Sequence, residues 1–109
     1  MMKGDYQMTK VFISQPMRGK TDEYIQKERE HLIRVAKKLY GDAEILDSYF
    51  KDYDGNALQF LSKSIAVLAE ADVAIFAADW TNARGCRCEN MIAIEYGIEI
   101  VESYSDIES

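Results

Sequence analysis

Little in this sequence could staple, kink or anchor it. Among 109 residues there is one proline, Pro16, one histidine, His31, one tryptophan, Trp80, and two cysteines, Cys86 and Cys88. Two cysteines this close in sequence exclude a disulfide framework, so both are expected as free thiols. With His31 far off along the chain, the four ligands of a structural zinc site are missing and no metal is expected. No apolar run approaches the roughly 20 residues that cross a bilayer, and the polar start MMKGDYQMTK has no apolar signal-peptide core. The expectation is a cytoplasmic protein with no membrane partner. Positive charge is scarce as well: 13 Lys and Arg stand against 19 Asp and Glu, a net charge of -6. That sign is wrong for a protein gripping nucleic acid along many phosphates. A small anion remains open, because N–H groups and one or two cations can oppose the overall field locally.

What is present suits one globular domain. Hydrophobic residues make up 48% of the chain and aromatics 11%, enough to bury a core without staples. A single domain over 1–109 is expected, with a loose leader at 1–8 and an acidic tail at 102–109. Val11-Phe12-Ile13 marks a first strand near Lys10 to Ser14. From Asp22 to Tyr40, apolar residues at Ile25, Leu32, Val35, Ala36 and Leu39 predict an amphipathic helix that stops at Gly41. Ala43 to Leu46 reads as a second strand, followed by a polar loop from Asp47 to Gly55. Asn56 with Gln59 predicts a capped second helix whose Leu58, Leu61, Ile65 and Leu68 share a face. A third strand at Val73 to Phe76, a loop at Ala77 to Gly85, a third helix at about Cys86 to Tyr96 stopped by Gly97, and a fourth strand at Ile98 to Val101 complete the chain.

Alternating strands and helices, with strands apolar on both faces, predict a parallel four-stranded sheet covered by helices on both sides. The fold class expected is α/β, a three-layer Rossmann-like or flavodoxin-like sandwich with strand order 2-1-3-4. In such sheets the ligand lies beyond the carboxyl ends of strands 1 and 3, where the order reverses. The loops at 15–21 and 77–88 are therefore the ones to examine.

The first loop ends in Gly19-Lys20-Thr21, like a phosphate-binding P-loop, but Ser14 stands where the first glycine should. Pro16 also removes an N–H donor and restricts the chain where such a loop needs freedom. A single phosphate or sugar, held by N–H groups near Met17 to Lys20 and by Arg18, is the milder reading. The alternative is that Arg18 and Lys20 are solvated charges and Gly19 merely makes a turn. The second loop carries Trp80, two arginines and Glu89. Glu89 reads either as an early helix acid complementing the dipole or as a carboxylate placed to attack a sugar carbon that becomes positive in the transition state. Trp80 likewise reads as a core cap or as a stacking plate, and the two cysteines as packing.

The segments VFISQPMRGKTDEYIQKEREHLIRVAKKLYG and DVAIFAADWTNARGCRCENMIAIEYG resemble the nucleoside 2-deoxyribosyltransferase superfamily, which includes 2′-deoxynucleoside 5′-phosphate N-hydrolases. The likeness is closer to a small bacterial and phage subfamily of that group, and it covers about residues 10 to 101. It implies an N-glycosidase acting on a nucleoside or nucleoside monophosphate without metal or organic cofactor. Glu89 falls on the family's nucleophile, which forms a glycosyl-enzyme and passes the sugar to water or a second base. Gln15, Pro16, Met17, Arg18 and Gly19 fall on its substrate-binding loop, and Phe12 on a position where it often has tyrosine. Trp80 is then placed to stack on the base. Two positions depart from the family: Ser64 and Ala83 stand where polar helpers, commonly aspartates, are usual, with Asp79 or Asp47 as substitutes. Family members often complete the pocket with a neighbouring subunit, which implies a homo-oligomer. A nucleotide-binding module without catalysis is the alternative function.

Overall fold

A computed structural model describes residues 8–102, and the expected leader and tail otherwise lie outside them. The first strand, β1 (Lys10–Ser14), leads into helix α1 (Asp22–Tyr40), strand β2 (Glu44–Ile45) and helix α2 (Ala57–Leu68). Strand β3 (Val73–Phe76) follows, then helix α3 (Arg84–Glu95) and strand β4 (Glu99–Glu102). All strand pairs are parallel and the order is β2-β1-β3-β4, a Rossmann-like α/β arrangement. Glu102, expected to begin the tail, is the last residue of β4 and pairs with Phe76.

Side chains of β1 alternate between two cores, because successive residues of a strand face opposite ways. Val11 and Ile13 pack with Leu32 and Ala36 of α1, together with Val73 and Ile75 of β3. Phe12 packs the other way, with Leu68 of α2, Ala74 and Phe76, and with half-buried Trp80 and Ile92 against them. One helix covers one face and two cover the other, giving three layers.

The helices begin and end where local chemistry satisfies their free backbone groups. Thr21 caps α1 by accepting from the Tyr24 N–H at 3.0 Å, Asp22 and Glu23 sit at its positive end, and Lys37 and Lys38 at its negative end. The chain leaves through Gly41, whose φ of +69° is left-handed. Asn56 and Gln59 form the reciprocal capping box of α2, with bonds of 2.8 and 2.9 Å.

Helix α2 buries little of the face that its apolar residues share. Only Leu68 of that helix is fully buried, while Leu58 is 72% exposed and Leu61 and Ile65 are half-buried. The spacing does put these residues on one face, but only the end of the helix nearest β3 is covered. Within the loop expected at 77–85, a 3₁₀ turn at Trp80–Asn82 leads into α3, which begins at Arg84, two residues before the expected start.

Candidate functional site

The carboxyl ends of β1 and β3 are joined by pairing of Ser14 with Phe76 and by the Ala77 N–H donating to the Ser14 carbonyl at 2.9 Å. Side-chain alternation turns the Ser14 hydroxyl toward α3, where it donates to Glu89 Oε1 at 2.6 Å. Both residues are buried, Ser14 at 2% and Glu89 at 7% exposure. Glu89 lies in the second turn of α3 and faces the sheet. It is therefore not the surface acid that merely complements a helix dipole.

Burial pushes the Glu89 carboxyl up to about 7, against the pull of hydrogen bonds from Ser14 and from Ser64 of α2. Ser64, one of the two departures from the resembled family, thus stands beside the carboxylate itself. One helical turn before Glu89, buried Cys86 has its thiol pushed up to about 12. Burial is the main cause; Glu89 and Asp79 add to it, while Ser14 and Lys20 act against it. A thiol so placed stays protonated and is no nucleophile near neutral pH. Cys86 and Cys88 are both free.

The two loops meet a second time above this contact. Lys20 Nζ lies 2.6 Å from Asp79 Oδ2 and 4.9 Å from the centre of the Tyr24 ring. Burial alone would lower the lysine, but its bond to Asp79 and the nearby charges of Glu28, Asp79 and Tyr24 leave it raised. A half-exposed pair of this kind contributes at most about 1 kcal/mol. Its geometric consequence is larger: Lys20, a candidate counter-charge for an anion, is already engaged. Gly19 makes the turn that delivers it. Its φ of +80° would strain any other residue although a Cβ there meets nothing within 4 Å.

Gln15 points toward α1. Its Nε2 donates to the Ile25 carbonyl at 3.3 Å and to Glu28 Oε1 at 3.0 Å, and it is 6% exposed. Its Oε1 has no partner among the described residues, and neither does Asp79 Oδ1, although both atoms are buried. Next to it, Arg29 is buried at 8% exposure, donating to the Leu46 carbonyl at 3.3 Å and to Ser48 Oγ at 3.4 Å. Ser48 in turn donates to the Ile13 carbonyl at 3.0 Å. Burial lowers the Arg29 guanidinium, with Asp47 and Tyr49 opposing.

The sequence-derived candidates divide clearly. Glu89 is bonded to Ser14 and Asp79 to Lys20 beyond the carboxyl ends of β1 and β3, whereas Gln15 turns to the other side and bonds α1. Pro16 is buried, Met17 half-buried, and Arg18 exposed with no ion pair among the described residues. Phe12 lies in the core at 1% exposure, two residues below Ser14, and does not reach this edge. Trp80 sits 5.4 Å from Phe76, ring centre to ring centre, at a 57° tilt. It covers the core while keeping part of its surface open. Asp47 is exposed beyond β2 and forms no part of the cluster around Glu89. From sequence Ser14 was read only as a departure from the P-loop pattern, and Glu28 and Arg29 were not singled out. For the last two a signal existed, since both fall on the buried stripe between Ile25 and Leu32 at helical spacing.

Neither the models of known protein families nor the curated proteins compared match this chain. Its fold is similar to that of a solved structure, the crystal structure of a conserved protein from Enterococcus faecalis V583, with a TM-score of 0.68 and 18% identity. The similarity covers 92% of this chain and 65% of the other, so the chain spans less than two thirds of that protein's length. At this identity the likeness establishes the architecture alone. Among the described residues, no helix is long and apolar enough to cross a membrane. No three His, Cys, Asp or Glu among them stand where they could hold a metal ion.

Proposed function

We propose that this chain is a nucleoside 2-deoxyribosyltransferase-like N-glycosidase that cleaves or transfers the N-glycosidic bond of a deoxynucleoside or its 5′-monophosphate. The observation that carries the reading is Glu89: a buried carboxylate with no cation bonded to it among the described residues, held by the Ser14 hydroxyl at the edge where the strand order reverses. Its ionised form attacks C1′ of the sugar. The C1′–N bond breaks as the C1′–O bond to Glu89 forms, and the base leaves with the electron pair and takes up a proton. Water or a second base then attacks C1′, the bond to Glu89 breaks, and a proton is released. Two displacements retain the anomeric configuration. The Ser14 bond orients the carboxylate and favours its charged form.

A non-catalytic nucleotide-binding module is the second reading. It is favoured by Ser64 and Ala83 at positions where a family acid would assist departure of the base, and by the pairing of Asp79 with Lys20. The P-loop reading loses weight because Lys20 is paired and Thr21 caps α1.

The test is to incubate the protein with the four 2′-deoxynucleosides and their 5′-monophosphates and to separate free base chromatographically. Release that disappears in Glu89→Gln supports the glycosidase. Equal traces from both proteins, with every substrate, would overturn it.

A further inference from the structure

We infer that α3 pairs with α3 of a second copy of this chain, antiparallel and about a two-fold axis at Met91, through the helix face turned away from Glu89. Every exposed residue of α3, namely Arg84, Arg87, Met91, Ile94 and Glu95, falls on that face. The first four are spaced 3, 4 and 3 residues apart, the period of a seam that packs on another helix. Met91 is 57% and Ile94 62% exposed, and Tyr96, which ends the helix, is 79% exposed. They are three of the seven large hydrophobic residues exposed among the described ones, so open apolar surface is concentrated at this end of α3. Helix α2 runs alongside: Leu61 Cδ1 comes within 4.0 Å of where a Cβ on Gly85 would stand, and exposed Leu58 shares the stripe of Leu61. The apolar surface therefore continues onto α2.

Charge identifies the occupant. Helix α1 carries Asp22 and Glu23 at its positive end and Lys37 and Lys38 at its negative end, as the helix dipole favours. Helix α3 does the reverse: Arg84 and Arg87 lie in its first turn and Glu95 is its last residue. Within one chain that placement is unfavourable at both ends, and none of the three has an ion pair among the described residues. An antiparallel second α3 makes both ends favourable, because each basic end then lies against an acidic one and the two dipoles oppose. With Met91 on the axis, residues equally far before and after it face each other. Arg87 meets the partner's Glu95, half-buried Cys88 the partner's Ile94, and Met91 its own copy. Arg87 keeps donors for this contact, although one N–H goes to the Thr81 carbonyl at 2.8 Å. Copies of a chain with net charge -6 repel over most of their surface, whereas this face, with two arginines and one glutamate, lacks that acidic excess. Methionine, tyrosine and arginine are also enriched where proteins meet. Helical spacing sets Met91 about 200° around α3 from Glu89. The partner thus braces the helix that bears the carboxylate from behind and does not enter the site, and the pairing does not depend on the proposed chemistry.

Sedimentation velocity of the full chain over a dilution series is the test. A dimer that dissociates on dilution is expected. Met91→Arg sets like charges face to face on the axis and should weaken it about ten-fold or more. Arg87→Glu and Glu95→Arg should each weaken it about three-fold or more at low salt. The double variant should restore it to within about two-fold, since the exchanged charges still meet. All three positions are exposed, so the circular dichroism of each diluted variant should match that of the unaltered chain, and recovery in the double variant excludes misfolding as the cause of the single losses. A chain that stays monomeric up to ~1 mM would overturn the inference and leave this face to a different protein. A dimer indifferent to Met91→Arg would overturn it as well. So would a double variant that associates no better than the single ones, because the antiparallel register requires recovery.

Discussion

At the carboxyl end of β1, neighbouring residues face opposite ways, and the polar groups they meet are treated differently. Toward α1, the buried guanidinium of Arg29 is bonded to the Leu46 carbonyl and to Ser48, and Ser48 to the Ile13 carbonyl. That set straps the exit of β2 to β1. Toward α3, the buried carboxylate of Glu89 has, among the described residues, the hydroxyls of Ser14 and Ser64 and no bonded cation, and burial pushes it up to about 7. Buried charge anchored to backbone carbonyls serves architecture, whereas buried charge left poorly compensated is a candidate for chemistry.

The comparison breaks most readily at Glu89. If this carboxylate is the nucleophile, Glu89→Gln should lower base release by about 10³-fold or more, measured as initial rate per folded molecule. The same substitution should stabilise the fold. A carboxyl raised from 4.5 to about 7 binds a proton in the folded chain that the unfolded chain has already lost, so stability falls as pH rises across that interval. Removing the charge should therefore add about 2–3 kcal/mol at pH 8 and almost nothing at pH 4, by denaturant titration at both values. A stabilisation independent of pH would mean that the carboxylate is not strained by burial.

On the opposite side, Arg29→Ala should cost about 2 kcal/mol by the same titration, because it leaves the Leu46 carbonyl and Ser48 without their donor. The pH midpoint of base release should not move. Ser14→Ala removes a donor that favours ionised Glu89, so the midpoint of rising activity, near 7 in the unaltered protein, should shift upward by about one pH unit. Smallest is Asp79→Asn, expected to cost no more than about 1 kcal/mol of stability, since the ion pair it breaks is partly exposed.

The layers and strand order were legible because periodicity and burial agree over whole elements. The range Asp22–Tyr40 and the Asn56–Gln59 capping box came from signals that need no tertiary context. Other features were illegible because tertiary context decides them. Spacing places Leu58, Leu61 and Ile65 together but says nothing of whether anything covers them. Three residues of 3₁₀ turn, Trp80–Asn82, are too few to carry a period. Phe12 was read through a resemblance, and the packing of Leu68 and Phe76 puts it in the core. Of the candidate site, Glu89 and the Gln15 loop were readable from fold position and motif. The Ser14 bond was not, because it joins residues 75 positions apart in sequence.

One consequence follows from the tie between the Lys10 N–H and Asp72 Oδ2, 2.8 Å long at the foot of β1. Together with the strand pairing above it, this tie sets the phase in which β1 runs up the sheet. Were one residue deleted between Lys10 and Ser14, glutamine would arrive where serine now meets the carboxylate, and every apolar side chain beyond the deletion would swap cores. Length changes should therefore be tolerated between Lys51 and Asp54, beyond the Ser48 strap, and lethal across those five residues, so that a single spacing governs folding and chemistry alike.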